Sequence, residues 1–185
     1  MLDAKAGQPA AGAAGGGTRR LLIVRHAKAV PKGETEDFDR ALSDCGRADA
    51  PETGRWLADS GYTAELALCS PSRRPRQTWQ LIQGALAAPP PALYDDRLYD
   101  AAPTTLVGVL AAHGGTLGSV LLVGHNTGLH ELAVALCGHG PPDLMERLRA
   151  RFPTSGVAVV DFPGGWDAIA AGDGTLKAFW SPADR

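Results

Sequence analysis

Short runs of consecutive apolar residues alternate along the chain with stretches whose apolar residues recur at helical spacing. The clearest runs cover residues 21–24, 66–69 and 120–123, and a continuous run of this length is typical of a strand buried on both faces of a sheet. Residues 156–162 and 175–180 also have the composition of strands. Strands that alternate with helices predict right-handed crossovers and hence an α/β fold with a mainly parallel sheet, the last strands being candidate antiparallel additions.

Four stretches predict helices, at residues 43–59, after Ser72, at 106–112 and at 129–136. Pro51 lies inside the first of them and predicts a kink or a break there. Thr104 is the predicted N-cap of the third helix, which two glycines end. No segment between the predicted strands and helices is long enough to form a separate domain.

The start of the chain differs in composition from the rest. Residues 1–17 are mostly Ala and Gly, and such a segment buries too little apolar surface to offset the entropy lost on ordering. We therefore expect residues 1–18 to form a flexible tail. A chain of 185 residues fits one domain, which we place at residues 19–185.

Histidines and arginines follow three of the predicted strands. Arg25 and His26 come directly after the first run, Arg73 and Arg74 follow the second, and His125 follows the third. In open α/β sheets, ligands bind outside the carboxyl ends of the strands. Cations gathered at one edge need an anionic partner, and guanidinium groups match the oxygens of a phosphoryl group well. The sequence therefore predicts a phosphoryl site at this edge.

These segments resemble the motifs of the histidine phosphatase superfamily, which also contains the cofactor-dependent phosphoglycerate mutases. Residues 24–27 (Val-Arg-His-Ala) are similar to its Arg-His-Gly or Arg-His-Ala signature, residues 70–78 to its Ser-x-x-x-Arg-Ala-x-Gln-Thr segment, and residues 122–125 to its second-histidine motif. Residues 39–42 (Asp-Arg-Ala-Leu) and the Gly-Arg pair at 46–47 resemble the SixA-type phosphohistidine phosphatase branch. The resemblance implies a three-layer αβα sandwich of the phosphoglycerate-mutase-like type.

The resemblance also implies roles for four residues. His26 would be the nucleophile that carries the phosphoryl group, and Arg25, Arg74 and His125 would bind phosphate. The choice of Arg74 over Arg73 rests on the resemblance alone. Pro75 stands where the family usually has alanine, and because proline is tolerated only in the first turn of a helix, we expect Arg74 at the helix's N-terminal edge. Arg76, two residues on, should point away from the face of Arg74.

The identity of a general acid is left open by the sequence. The glutamate of the mutases is missing, and Asp100 stands at the corresponding place, with Asp95 and Asp96 as competitors. The alternative for all three is a solvated acidic loop. We expect the other three histidines to be structural; they are His113, His130 and His139.

Composition limits the kinds of partner that we expect the protein to bind and the compartment in which we expect to find it. A net charge of −2 argues against a general nucleic-acid coat or a strongly basic membrane face, and no apolar stretch is long enough to span a bilayer. Three separated cysteines without a Cys-x-x-Cys pair argue against a zinc ribbon or a disulfide framework and favour the cytoplasm. The sequence contains no Asp/Glu cage for magnesium, so we expect neither metal nor cofactor.

The function predicted from these features is a metal-independent phosphatase that acts through a phosphohistidine enzyme intermediate. The chain leaves little length for a cap domain over the pocket, and we expect residues 30–38 to form a charged, mobile loop at its rim. An open pocket of this kind favours phosphohistidine in proteins as the substrate. One alternative is a small-molecule phosphomonoesterase or mutase of the same superfamily. Another is a non-catalytic phosphate-binding module, and a metallohydrolase that uses the histidines is a third.

Overall fold

Seven strands and five α-helices make up the part of the fold that the structure describes. The computed structural model describes residues 17–33 and 35–184, so the predicted tail, apart from its last two residues, lies outside the described residues. The strands are β1 (Arg19–Arg25), β2 (Leu66–Cys69), β3 (Ala92–Tyr94), β4 (Ser119–Gly124), β5 (Cys137–His139), β6 (Val157–Phe162) and β7 (Gly174–Trp180). The helices are α1 (Asp44–Asp59), α2 (Arg73–Gln83), α3 (Pro103–Gly114), α4 (Gly128–Leu136) and α5 (Pro142–Ala150).

The strands form one sheet in the order β3-β2-β4-β1-β6-β7-β5. β6 is antiparallel to both of its neighbours, β1 and β7, whereas the other pairings are parallel. The predicted mainly parallel sheet is confirmed. The expectation that the last strands are antiparallel additions holds for β6 only, since β7 again runs in the direction of β1.

The core is split between the two faces of the sheet. Leu21 and Ile23 of β1 pack with residues of α3, α4 and α5, whereas Leu22 and Val24 pack with residues of α1 and α2. Because successive side chains of a strand point to opposite faces, an apolar run buries both faces at once. The result is the predicted three-layer αβα sandwich.

Several predicted details differ from the structure. Helix α1 continues through Pro51 without a break. Helix α3 begins at Pro103 with Ala102 as its N-cap, not with Thr104, because the fixed φ of proline suits the first helical position. β3, β5 and α5 have no counterpart among the predicted elements, and β5 contains His139.

The ends of three strands bring the predicted site together. β2, β4 and β1 are adjacent and parallel, and Arg25 at the end of β1 lies opposite Gly124 at the end of β4. The loops that follow these strands therefore meet at one edge of the sheet. Among the helices in the described ranges, none is both long enough and apolar enough to cross a membrane.

Candidate active site

A cavity of about 370 Å³ opens at the carboxyl ends of β1, β2 and β4. Its lining consists of four cationic side chains, two carboxylates, two histidines and four other residues, namely Arg25, Lys32, Arg40, Arg74, Asp37, Asp100, His26, His125, Ala29, Tyr99, Asn126 and Thr154. Four positive and two negative groups leave a net charge of +2 when the imidazoles are neutral. This balance complements a phosphoryl group, which carries about two negative charges.

All five predicted site residues line this cavity: Arg25, His26, Arg74, Asp100 and His125. Asp95 lies elsewhere, paired with Arg97 and His113, and Asp96 is exposed outside the lining. Of the three candidate acids, Asp100 is thus the one at the cavity. Its backbone φ is +48°, a conformation that is uncommon for residues other than glycine and often marks functional positions.

His26 follows β1, and the hydrogen bonds of its ring define its tautomer. Its Nδ1 lies 2.8 Å from the carbonyl oxygen of Ala27. Since a carbonyl oxygen only accepts hydrogen bonds, Nδ1 carries the hydrogen and Nε2 keeps a free lone pair. Burial lowers the pKa of His26 to about 4, and the charges of Arg74 and Arg25 add to this effect. The ring is therefore neutral near pH 7, as a nitrogen nucleophile must be.

His125 follows β4 and is 7% exposed. The centroid of its ring lies 5.2 Å from that of His26. Burial lowers the pKa of His125 to about 3, with further contributions from His26 and Arg74. Its Nε2 lies 2.8 Å from the hydroxyl of Ser70 and 3.2 Å from that of Ser72. The ring is thus neutral, and two hydroxyl groups hold it in place through hydrogen bonds with its Nε2.

Ser72 is the N-cap residue of α2, yet its side chain makes no capping hydrogen bond. A serine in this position normally bonds a free backbone N–H of the first turn, which stabilises a helix by about 1 kcal/mol. Here the hydroxyl faces His125 instead, and Ser70 and Ser72 are both wholly buried. The motif at residues 70–78 predicts Arg74 as a site residue, and the two serines were not among the predicted site residues.

The two predicted phosphate-binding arginines retain donors without partners. Arg25 donates from Nη1 to the carbonyl oxygen of Phe152, 2.8 Å away. Arg74, which is 3% exposed, lies in the first turn of α2 just before Pro75, as predicted. Among the described residues, the Nε–H groups of Arg25 and Arg74 are buried without a hydrogen-bond partner. Such groups carry a desolvation cost, and both guanidinium groups line the cavity.

Asp37 joins three parts of the cavity wall. Its carboxylate accepts hydrogen bonds from Arg74 Nη2 at 2.9 Å, from the Tyr99 hydroxyl at 2.9 Å and from Arg40 Nε at 2.9 Å. Arg74 Nη1 also donates to the backbone carbonyl oxygen of Asp37. Burial acts to raise the pKa of Asp37, but these three donors outweigh it and hold the pKa well below its usual range. Asp37 is therefore a carboxylate that orients Arg74, and it lies on the segment expected only to form a rim.

The remaining candidates lie outside the cavity lining. Arg73 is exposed, and Arg76 sits over the ring of Tyr94. His113 pairs with Asp95, and His130 lies 2.6 Å from the carbonyl oxygen of Leu148. In the ranges that the structure describes, no three His, Cys, Asp or Glu side chains are grouped as metal ligands.

The chain is similar to proteins of one family. A model of the histidine phosphatase superfamily (branch 1) matches residues 21–108. An uncharacterized protein of Mycobacterium tuberculosis is 35% identical over 161 residues, which cover 86% of this chain and 99% of that protein. The crystal structure of SixA from Agrobacterium tumefaciens is 34% identical, with a TM-score of 0.75 over 89% of this chain and 98% of that chain. The protein histidine phosphatase SixA in complex with tungstate is 26% identical, with a TM-score of 0.68 over 89% and 98% of the two chains. The predicted phosphoglycerate-mutase-like fold is confirmed.

Proposed function

The chain belongs to the histidine phosphatase superfamily, in its SixA-type branch, and we propose that it hydrolyses phosphohistidine in proteins through a phosphoryl intermediate on its own His26. Phosphatase activity follows from the family. The observation that carries the proposed mechanism is the hydrogen bond from His26 Nδ1 to the Ala27 carbonyl oxygen, which leaves Nε2 free inside a cavity of net positive charge.

The reaction has two steps. In the first, the lone pair of His26 Nε2 attacks phosphorus in line, and the bond from phosphorus to the leaving group breaks. The leaving nitrogen takes that electron pair, and a proton already on the substrate ring makes it a neutral imidazole. In the second, a water oxygen attacks phosphorus, the bond to Nε2 breaks, and the electron pair returns to His26. One proton of the attacking water stays on the inorganic phosphate that is released, and the other passes to the solvent.

The charge that develops on the phosphoryl oxygens meets groups that are already in place. Arg25 and Arg74 are fixed by Phe152 and Asp37 respectively, and His125 is fixed by two serines. Donors held in this way stabilise the transition state without reorganising. These side chains supply the positive charge that a metal ion supplies in other phosphatases, and for this reason we propose a metal-independent reaction.

Two observations support a protein phosphohistidine as substrate. The cavity opens to solvent close to the exposed residues Lys32 and Phe38, so that a side chain projecting from another protein can enter it. The chain is also similar to a protein histidine phosphatase that binds tungstate, a tetrahedral oxyanion that resembles phosphate. Hydrolysis of a phosphohistidine peptide, compared with that of an alkyl phosphate monoester, tests the substrate choice.

A second candidate function, hydrolysis of small phosphate esters, is favoured by the position of Asp100 in the cavity. An ester must expel an alkoxide, and a general acid that protonates it contributes about 10²- to 10⁴-fold. Phosphohistidine, once protonated on its ring, needs no such acid. The effect of removing Asp100 therefore separates the two substrates.

We expect Asp100→Asn to slow hydrolysis of an alkyl phosphate by about 10²-fold or more and that of phosphohistidine by less than about 10-fold. Steady-state kcat/KM of two enzymes on two substrates gives the comparison, with Asp96→Asn as the matched control because Asp96 lies outside the cavity lining. Equal losses on both substrates would mean that Asp100 does not protonate the leaving group. A preference of the wild type for the ester would favour the second function.

Ser70→Ala should lower kcat by about 10-fold. The variant lacks the hydroxyl that orients His125, so the hydrogen bond from His125 to the charged transition state is weakened. If Ser70 donates to Nε2 of His125, Nδ1 carries the hydrogen. The ¹⁵N shifts of the His125 ring should then indicate the Nδ1–H form in the wild type and a mixture in the variant. Ser155→Ala is the control, because Ser155 is equally buried and its hydroxyl has no partner among the described residues. Identical ring shifts in the wild type and Ser70→Ala would contradict this role.

A further inference from the structure

Exposed apolar side chains gather on the face that contains the cavity. In the described ranges, the large hydrophobic residues that are exposed are Val30, Phe38 and Tyr94. Phe38 follows Asp37 of the cavity wall, and its ring lies 5.1 Å from that of Tyr99. Tyr94 ends β3, which is parallel to β2 and so ends at the same edge of the sheet. Single exposed apolar residues are ordinary, but aromatic residues that share one face with a catalytic cavity are typical of a contact surface.

A groove of about 410 Å³ lies beside the cavity, between Phe38 and the first three turns of α2. Its wall includes Phe38, Pro71, Arg73, Arg76 and Gln80. The two sites are adjacent, because Asp37 and Arg74 line the cavity and their neighbours along the chain, Phe38 and Arg73, line the groove. A peptide whose phosphorylated side chain enters the cavity can therefore reach the groove with its flanking residues.

The groove carries two guanidinium groups that are available to a partner. Arg73 donates a long hydrogen bond of 3.4 Å to the backbone carbonyl oxygen of Asp39, and Arg76 lies 5.5 Å from the centre of the Tyr94 ring. Neither forms an ion pair with a carboxylate in the part of the chain that is described. Against one carboxylate in the wall, Asp39, the groove has an excess of positive charge in a chain whose net charge is −2.

We propose that this groove is the docking surface for a phosphorylated protein, and that it selects proteins with acidic side chains beside the phosphorylated residue. The inference rests on the proposed function, since it names the surface that such a substrate would use. Arginine beside aromatic residues is the composition enriched in protein interfaces, and its planar fork binds carboxylates in a bidentate way. The groove thus adds selectivity among protein substrates to a cavity that recognises the phosphoryl group alone.

The test uses two phosphohistidine peptides that differ only in their flanking residues, glutamate in one and glutamine in the other. Wild-type kcat/KM should favour the glutamate peptide by about 10-fold, mainly through KM, because each exposed ion pair adds a modest energy. The double variant R73E/R76E should remove or reverse this preference and leave hydrolysis of p-nitrophenyl phosphate within about twofold. Arg149→Glu, an exposed substitution on α5, is the matched control and should keep the preference.

The outcomes separate this inference from the proposed function. Equal wild-type kcat/KM for the two peptides, or an unchanged preference in R73E/R76E, would overturn the docking surface and leave the phosphohistidine activity standing. An equal loss on p-nitrophenyl phosphate would also overturn it, because the two arginines would then serve the cavity itself. Hydrolysis of p-nitrophenyl phosphate without hydrolysis of either peptide would overturn the proposed substrate and the docking surface together.

Discussion

Replacing His26 with alanine should reduce turnover by about 10⁴-fold or more and leave the fold intact, because the substitution removes the proposed nucleophile and with it the covalent pathway. His26 is only partly buried and faces the cavity, so its loss leaves the two core clusters unchanged. Circular dichroism and thermal unfolding should therefore match those of the wild type, while activity on any phosphorylated substrate falls.

Trapping the covalent intermediate tests the mechanism more directly than the loss of turnover does. Acid-free denaturation during turnover of a ³²P-labelled substrate should trap label on His26, in a bond that is labile in acid and stable in base, as a phosphoramidate is. His139→Ala is the matched control, since His139 is an exposed histidine outside the cavity, and it should retain both label and activity. Label on serine, threonine or cysteine would refute the mechanism. Loss of activity in EDTA would refute its metal independence.

The centre of the fold could be predicted because its strands are buried on both faces. β1, β2 and β4 each contain a continuous apolar run, and such runs have few alternatives to the middle of a parallel sheet. β3 and β5 have three residues each and lie at the two edges of the sheet. A segment that short has no periodicity to detect, and its pairing depends on strands that are distant in the sequence.

The sheet positions most of the site residues that the sequence predicted, whereas loops position those that it did not predict. Arg25 is the last residue of β1, and His26 and His125 directly follow β1 and β4, so the sheet alone brings them together. Asp37 lies 37 residues from Arg74 and 62 from Tyr99 along the chain. No local pattern indicates that these loops meet, because their contact is set by tertiary packing. Ser72 directly precedes a predicted helix, where a capping role is the ordinary expectation, so its contact with His125 also depends on tertiary packing.

Replacing Arg74 with lysine should have the second large effect on activity. The same replacement at Arg73 tests whether Arg74 is the residue responsible. Arg74 uses two nitrogens to hold Asp37 and has a third without a partner, whereas a lysine ammonium is a single point of charge that cannot make the same set of contacts. We therefore expect Arg74→Lys to lower kcat/KM on p-nitrophenyl phosphate by about 10²- to 10³-fold, even though the net charge of the cavity is unchanged.

Arg73→Lys is the matched control for this substitution, because it makes the same chemical change one residue away at an exposed position on the same helix. Its kcat/KM on p-nitrophenyl phosphate should stay within about twofold of the wild type. Thermal unfolding of both variants separates catalysis from stability, since a buried lysine in place of Arg74 also weakens the link to Asp37. If Arg73→Lys inactivates and Arg74→Lys does not, the assignment is wrong by one residue. If both are tolerated, a positive charge at this edge is sufficient, and the planar geometry of the guanidinium has no role in the reaction.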